Sequence, residues 1–373
     1  MIYLDYAANT PADEQVINTF SEISKTYVAN PNSTHKLGRM ASEHLSESTK
    51  KIANMLNVKE SEIIFTSGAS ESNNMAIKGA AAYNKKYGKH IITTYLEHSS
   101  VNGAIGYLQN NGYEVDYADI AQDGKVDLDS LKELIRDDTI LVSICYVDSE
   151  VGLIQPIDEI GKIIKDHPHC VFHVDATQAV GKMQVNFEGA HMVTFAPHKF
   201  YGLNGCGVLV KKENIMIEPL IHGGKSTSAF RSGTPALGMI VATEKALELA
   251  YENMSYKYDY VAAINTKLKY ELKKYPKVKI NSNENSVPFI LNISIDKANA
   301  EQFKSELENH DIYVSTKSAC CAPNTASRVV YALTKDRKRA LSTLRISLSY
   351  LTTEEDISLF LDAFEICYNK MIK

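Results

Sequence analysis

Apolar residues along this chain alternate between helical stripes and short continuous runs. Val16, Phe20, Ile23 and Tyr27 share one face of a helix predicted over residues 11–27, and a second helical stretch covers residues 37–55. A strand over 62–66 leads to a helix over 73–85, a strand over 91–94 to a helix over 101–110, and a strand over 113–117 to a helix over 129–136. The strongly apolar run 139–147 is a strand, and a helix over 156–165 follows with Pro156 near its first turn. Three more strands, 171–174, 192–195 and 207–210, complete the series. Strands separated by helices of this length predict βαβ units and a mainly parallel sheet, an α/β fold. A long helix over 236–252 leads into a Tyr/Lys-rich helical stretch, 251–275, where the composition shifts. Beyond it come strands over 289–295, 312–315 and 344–348, helices over 300–309 and 327–333, and a last helix. That helix opens on a Thr352–Glu355 capping box, with Ile357, Phe360, Leu361 and Phe364 on one face. The expected organisation is a large domain over 15–253 and a smaller α+β domain from 1–14 and 254–373.

A length of 373 residues exceeds one ordinary core, which agrees with two domains. The chain is 44% hydrophobic and 23% charged, with a formal net charge of -5, a balance that attracts neither nucleic acid nor an anionic bilayer. No run approaches the ~18 apolar residues of a membrane span. Met1-Ile2-Tyr3-Leu4-Asp5 lacks the basic start and apolar core of a signal peptide, and six cysteines are too sparse for a disulfide scaffold. A reducing, cytoplasmic setting is expected.

Several strand ends carry polar groups. Ser67-Gly68-Ala69-Ser70-Glu71-Ser72, between a strand and a helix, reads as an anion site of free N–H groups and hydroxyls, or as an ordinary N-cap. Glu97-His98-Ser99 follows the next strand. Asp175, with Ala176-Thr177-Gln178 behind it, ends another, and Pro197-His198-Lys199 ends a further one. In an open α/β sheet such rim residues converge on a site, where a lysine can serve as the amine nucleophile of a Schiff-base cofactor. Gly223-Gly224-Lys225-Ser226 lacks the earlier glycine of a P-loop. His167, His169, Cys170 and His173 have no matching pair nearby to complete a tetrahedral set, so no metal site is expected. Ser318-Ala319-Cys320-Cys321-Ala322-Pro323 places a cysteine in a loop, as an exposed thiolate nucleophile or as a small buried hydrophobe. The charge run Lys335-Asp336-Arg337-Lys338-Arg339 reads as a solvated loop.

Taken together, these motifs resemble the cysteine desulfurases, enzymes of fold type I that depend on pyridoxal phosphate (PLP) and are related to class V aminotransferases. The resemblance runs from Tyr3-Leu4-Asp5-Tyr6-Ala7-Ala8-Asn9-Thr10 to Arg345-Ile346-Ser347-Leu348. It implies that Lys199, in His-Lys-Phe-Tyr-Gly, holds PLP through its amine and moves the substrate α-proton. Asp175 would face the pyridinium nitrogen, Gln178 the phenolic oxygen, and His98 would stack on the ring and assist proton transfer. Ser70 and His198 would contact the phosphate, and Ser149 takes the place of an amide that contacts the PLP oxygen or the substrate. Thr234, in Arg-Ser-Gly-Thr, would reach the phosphate of a neighbouring subunit, which implies a homodimer. Arg345 would pair with the substrate carboxylate, with Asn9 also assigned to the substrate. Cys320 would take sulfur from L-cysteine as a persulfide and pass it to an acceptor protein, as in iron–sulfur cluster assembly. The chain departs from the family pattern at Ser149, at Ala196 (where a phosphate-binding serine is expected), at Leu203-Asn204, at Ser226-Thr227 and at Cys321. Alternatives within the resemblance are another PLP-dependent aminotransferase or lyase, such as a selenocysteine lyase, or an impaired paralogue acting as a scaffold.

Overall fold

The computed structural model describes residues 1–317 and 325–372. A short strand, β1 (Ile2–Tyr3), precedes helices α1 (Glu14–Thr26) and α2 (Lys36–Leu56). Then come β2 (Ile63–Thr66), α3 (Ala69–Asn84), β3 (His90–Thr93), α4 (Ser99–Asn110), β4 (Glu114–Tyr117), α5 (Leu128–Leu134), β5 (Thr139–Cys145) and α6 (Ile157–Ile164). Strands β6 (Val171–Asp175), β7 (Met192–Phe195) and β8 (Gly207–Lys211) follow, and helices α7 (Leu237–Tyr251) and α8 (Met254–Leu272) lead onward. The remainder is β9 (Val278–Ile280), β10 (Ile290–Ile295), α9 (Ala300–Glu308), β11 (Ile312–Tyr313), α10 (Arg328–Thr334), α11 (Arg337–Leu341), β12 (Thr343–Ser347) and α12 (Glu354–Met371).

The main sheet has seven strands in the order β2-β8-β7-β6-β5-β3-β4. Its β4, β3, β5, β6 and β7 run parallel, as the spacing predicts, while β8 is antiparallel to both β7 and β2. β8 therefore lies inside the sheet, and its first residue, Gly207, sits on the rim where the parallel strands end, opposite Thr66. Strands β5, β6, β7 and β8 are buried along their whole length, which explains why they read as continuous apolar runs rather than alternating ones. Helix α3 is buried on most sides, with Met75, Ala76, Ile77, Ala80 and Ala81 in the core.

A smaller antiparallel sheet, β12-β10-β9, and a two-stranded parallel pair, β1-β11, stand apart from the main sheet. Through β1 and an isolated Asp5–Ser347 bridge, the amino terminus joins the carboxy-terminal strands. That course carries the segment after β1 past the rim of the main sheet.

Four local expectations are corrected. Helix α3 starts at Ala69, four residues before the predicted start, because Gly68 and the small residues beyond it enter the helix directly. The capping box of α12 is Thr353 with Asp356, not Thr352 with Glu355; the Thr352 hydroxyl instead accepts from Ser349 N–H. The charge run near residue 335 is not a free loop, since Arg337–Leu341 is helical and Arg339 donates to Asn281 Oδ1 and Ile280 O. Strand β9 (Val-Lys-Ile) alternates apolar and polar over only three residues, too short a run to predict a strand.

Candidate active site

Asp175 ends β6, and its carboxylate is buried at the sheet rim. Its Oδ2 accepts from Asn73 Nδ2 at 2.8 Å and its Oδ1 from Thr177 N–H at 3.0 Å. Asn73 lies on α3, so the helix that starts beside β2 also holds the acid in place. The neighbouring strand β7 runs into a single 3-10 turn, Pro197–Lys199. There Lys199 Nζ donates to Ala8 O at 2.6 Å and to Ala7 O at 3.1 Å, and Gln178 Nε2 donates to Ala7 O at 2.9 Å. The segment after β1 thus supplies the carbonyls that hold both side chains.

These residues line a cavity of about 380 Å³. Of the residues singled out in the sequence, the cavity gathers Ser70, His98, Ser149, Asp175, Gln178, His198, Lys199 and Arg345, from elements more than 250 positions apart in the chain. Asn9 and Thr234 do not line it. Asn9 Nδ2 donates to Thr10 O, and Thr234 is exposed with its hydroxyl 3.5 Å from Asn30 Nδ2. Cys320 lies outside the described residues.

The start of α3 forms one wall, with Ser67 to Glu71 lining the cavity. Its N-cap is Gly68, which supplies no side-chain hydrogen bond, so the first-turn N–H groups have no capping side chain. Gly207 makes this wall possible, because a Cβ there would stand 2.4 Å from the Gly68 carbonyl carbon. Thr177 Oγ1 and Arg345 Nε are buried without a hydrogen-bond partner. The remaining guanidinium nitrogens are engaged: Arg345 Nη1 donates to Ser149 O and Nη2 to Asp5 Oδ1, each at 2.8 Å.

Burial sets the protonation of several groups around the cavity. His98 caps α4, its Nδ1 accepting from Ser100 N–H, which leaves the neutral ring's proton on Nε2. Burial lowers the His98 pKa, against the pull of Asp175 and with the help of Lys199 and Arg345. His198 is pushed down to about 4 by burial, then by the charges of Lys199 and Lys182. Glu97, whose Oε1 accepts from Thr94 and from Cys145 N–H while Oε2 has no partner, is pushed up to about 8 by burial. Cys145 lines the cavity, but burial raises its thiol well above the ordinary value, so it is not the activated nucleophile of the site.

The histidines near residue 170 separate in space. His169 stacks on Tyr87, and His173 bridges Ser143 Oγ and Thr194 Oγ1 inside the sheet. Among the described residues no cluster of three His, Cys, Asp or Glu is arranged to hold a metal.

Residues 2–360 match the family model of class-V aminotransferases. The chain belongs to that family. It is 39% identical to a NifS/IcsS protein homolog of Lactobacillus delbrueckii subsp. bulgaricus, over 100% of this chain and 98% of that protein. It is 37% identical to the cysteine desulfurase IscS of Dictyoglomus turgidum, over 99% of this chain and 95% of the relative. A solved NifS-like protein superposes with a TM-score of 0.93 at 34% identity, covering 99% of each chain. A structure described as SspA in complex with cysteine superposes at 0.82 with 31% identity, over 95% of this chain and all of that one.

Sequence reasoning missed several members of the site. Asn73 directly follows the Ser67–Ser72 run, and its spacing from Ser70 places it one helical turn further along. Lys182 follows Gln178 by four residues and reaches its amide. Asp5, Ala7 and Ala8 act through backbone course and long-range pairing, for which no local signal exists.

Proposed function

We propose that this chain is a PLP-dependent cysteine desulfurase, converting L-cysteine to L-alanine while the sulfur is taken up by Cys320. The observation that carries this reading is the convergence of Lys199, Asp175, Gln178, His98 and Arg345 on one cavity beside the uncapped start of α3. The donor set fits PLP. A helix start with free N–H groups suits a phosphate, and a fixed carboxylate suits a protonated ring nitrogen. The buried, unpartnered Thr177 Oγ1 and Arg345 Nε are further donors toward a polar ligand. When bound, PLP supplies an electron sink for bonds broken next to the substrate nitrogen.

The chain's own residues do the rest. Asp175, oriented by Asn73 and Thr177 N–H, holds a proton on the ring nitrogen. The start of α3, Ser70 and His198 bind the phosphate, and Gln178 donates to the phenolic oxygen. Lys199 anchors the cofactor through its amine and moves the α-proton of the substrate. His98, neutral with its proton on Nε2, assists that transfer. Arg345 orients the substrate carboxylate, with Ser149 beside it, while Asn9, turned to Thr10 O, takes no direct part. The Cys320 thiolate attacks the substrate sulfur, the Cβ–S bond breaks, and Cβ gains a proton. L-cysteine and the Cys320 thiol thus become L-alanine and a Cys320 persulfide, with atoms and electrons balanced.

The same reading takes the protein as a cytoplasmic homodimer in which Thr234 reaches the neighbouring subunit's phosphate. The persulfide then passes to an acceptor protein, with iron–sulfur assembly as the process. A large unit over 15–253 and a small one from 1–14 and 254–373 belong to this reading, supported by the separate sheets. Purified protein should show a visible PLP band that borohydride bleaches and Lys199→Ala lacks, and L-cysteine, with a dithiol present to reduce the Cys320 persulfide, should yield alanine and sulfide in equal amounts. A colourless protein that takes up no added PLP contradicts the proposal.

A further inference from the structure

Gln178 is pinned from both ends. Its Nε2 donates to Ala7 O at 2.9 Å, and its Oε1 accepts from Lys182 Nζ at 2.7 Å. A glutamine amide has two orientations of nearly equal shape, and only its partners decide between them. Lys182 Nζ gives N–H bonds and selects the carbonyl oxygen, most strictly when protonated; Ala7 O is a pure acceptor and selects the amine. Flipping the amide would set NH₂ against an ammonium and one carbonyl oxygen against another. The second N–H of Nε2 is thereby left for the cavity, which Gln178 lines.

The placement of Lys182 follows from the turn that begins after Asp175. Val180 N–H donates to Ala176 O and Met183 N–H to Ala179 O, so the chain coils and brings position 182 back over position 178. Gly181 has a φ of +74°, and a Cβ on it would lie 2.6 Å from Phe200 Cγ, so the turn packs against the residue that follows Lys199. Lys182 is also an unusual place for a charge. Burial, then the charges of Lys199 and Arg345, push its pKa down to about 7. Its hydrogen bond goes to an uncharged amide, and no ion pair joins it to a carboxylate among the described residues. With no carboxylate beside it among those residues, Lys182 has the Gln178 amide as its side-chain partner.

We propose that Lys182 is a positioning residue that fixes the Gln178 amide with its N–H toward the cofactor oxygen. The inference rests on the PLP reading above, since it gives Gln178 an acceptor in the cavity. Without Lys182 only Ala7 O still selects the orientation, so the flipped amide, which presents Oε1 to that oxygen and disfavours its ionised form, gains population.

The test uses full-length apo-protein titrated with PLP, following the visible band from pH 6 to 10, in wild type, Lys182→Met, Gln178→Ala and the double variant. For Lys182→Met the band's titration midpoint should rise by roughly half to one pH unit, and PLP affinity should fall roughly three- to tenfold. In the Gln178→Ala background, removing Lys182 should shift the midpoint no further. Circular dichroism of each apo-protein checks folding. If Lys182→Met does not fold, Lys182→Gln replaces it, since its amide is too short to reach and the same upward shift is expected. A Lys182 variant that titrates and binds like wild type overturns the inference, as does a shift that persists undiminished without Gln178. A wild type that never develops the band overturns the PLP reading itself, and this inference with it.

Discussion

Arg345 Nη2 donates to Asp5 Oδ1 at 2.8 Å across 340 positions of sequence, joining the segment after β1 to β12 at the wall of the cavity. The guanidinium is almost wholly buried and the carboxylate one-fifth exposed. Removing one member of a buried pair leaves the other charge poorly compensated. Asp5→Asn should therefore cost about 1–3 kcal/mol in stability, the partial exposure of Asp5 keeping it below the fully buried case. Urea denaturation of the apo-protein measures this.

Arg345 also presents the buried, unpartnered Nε. Lysine keeps the charge but loses the planar fork, so Arg345→Lys should raise KM for L-cysteine about tenfold. The visible band should remain. Steady-state kinetics beside an absorbance spectrum separates the two.

Glu97 makes stability depend on pH. Burial raises its folded pKa from 4.5 to about 8. Between those values the unfolded chain has released the proton and the folded chain still holds it, so Glu97 lowers stability progressively as pH rises from 4.5 toward 8. Glu97→Gln removes this dependence while its carbonyl oxygen still accepts from Thr94 and Cys145 N–H. The variant's stability relative to wild type should be higher at pH 8 than at pH 5, as read from denaturation curves at both.

Much of the main sheet was legible because β3 and β5 to β8 are buried along their length and read as apolar runs set apart by helices. The rim residues were legible as well, since a polar cluster after an apolar run marks a strand's end. What stayed hidden depends on distance in sequence. The antiparallel course of β8 changes no local periodicity. Arg339 belongs to a charge run, and only the partners Asn281 and Ile280 turn it into part of a packed surface. Ala7 and Ala8 act through carbonyls, which every residue possesses, so no residue type announces that they will hold Lys199 and Gln178.

Gly207 and Gly68 stand too close for any side chain between them. Gly207→Ala places a Cβ 2.4 Å from the Gly68 carbonyl carbon and 2.6 Å from its Cα, so the backbone at the start of α3 must move. The expected cost is about 1–3 kcal/mol of stability, with weaker PLP retention because the phosphate wall shifts. Fluorescence-monitored PLP binding and a thermal melt check both.

Ala196 precedes the lysine turn by one residue and is fully buried. The resemblance read from the sequence implies a phosphate-binding serine there, and the proposed function makes a hydroxyl at that point an added donor. Ala196→Ser should slow the loss of PLP on dialysis roughly three- to tenfold, the worth of one hydrogen bond. An unchanged rate would mean that the donors already present satisfy the phosphate.

The most direct measurement is the intact mass of PLP-loaded protein after exposure to L-cysteine. The account predicts a protein heavier by one sulfur atom, with the addition mapped to the Cys320 peptide and absent from Lys199→Ala and Cys320→Ala. A protein that binds PLP, releases alanine from L-cysteine and gains no sulfur at Cys320, or that works unchanged as Cys320→Ala, would contradict it.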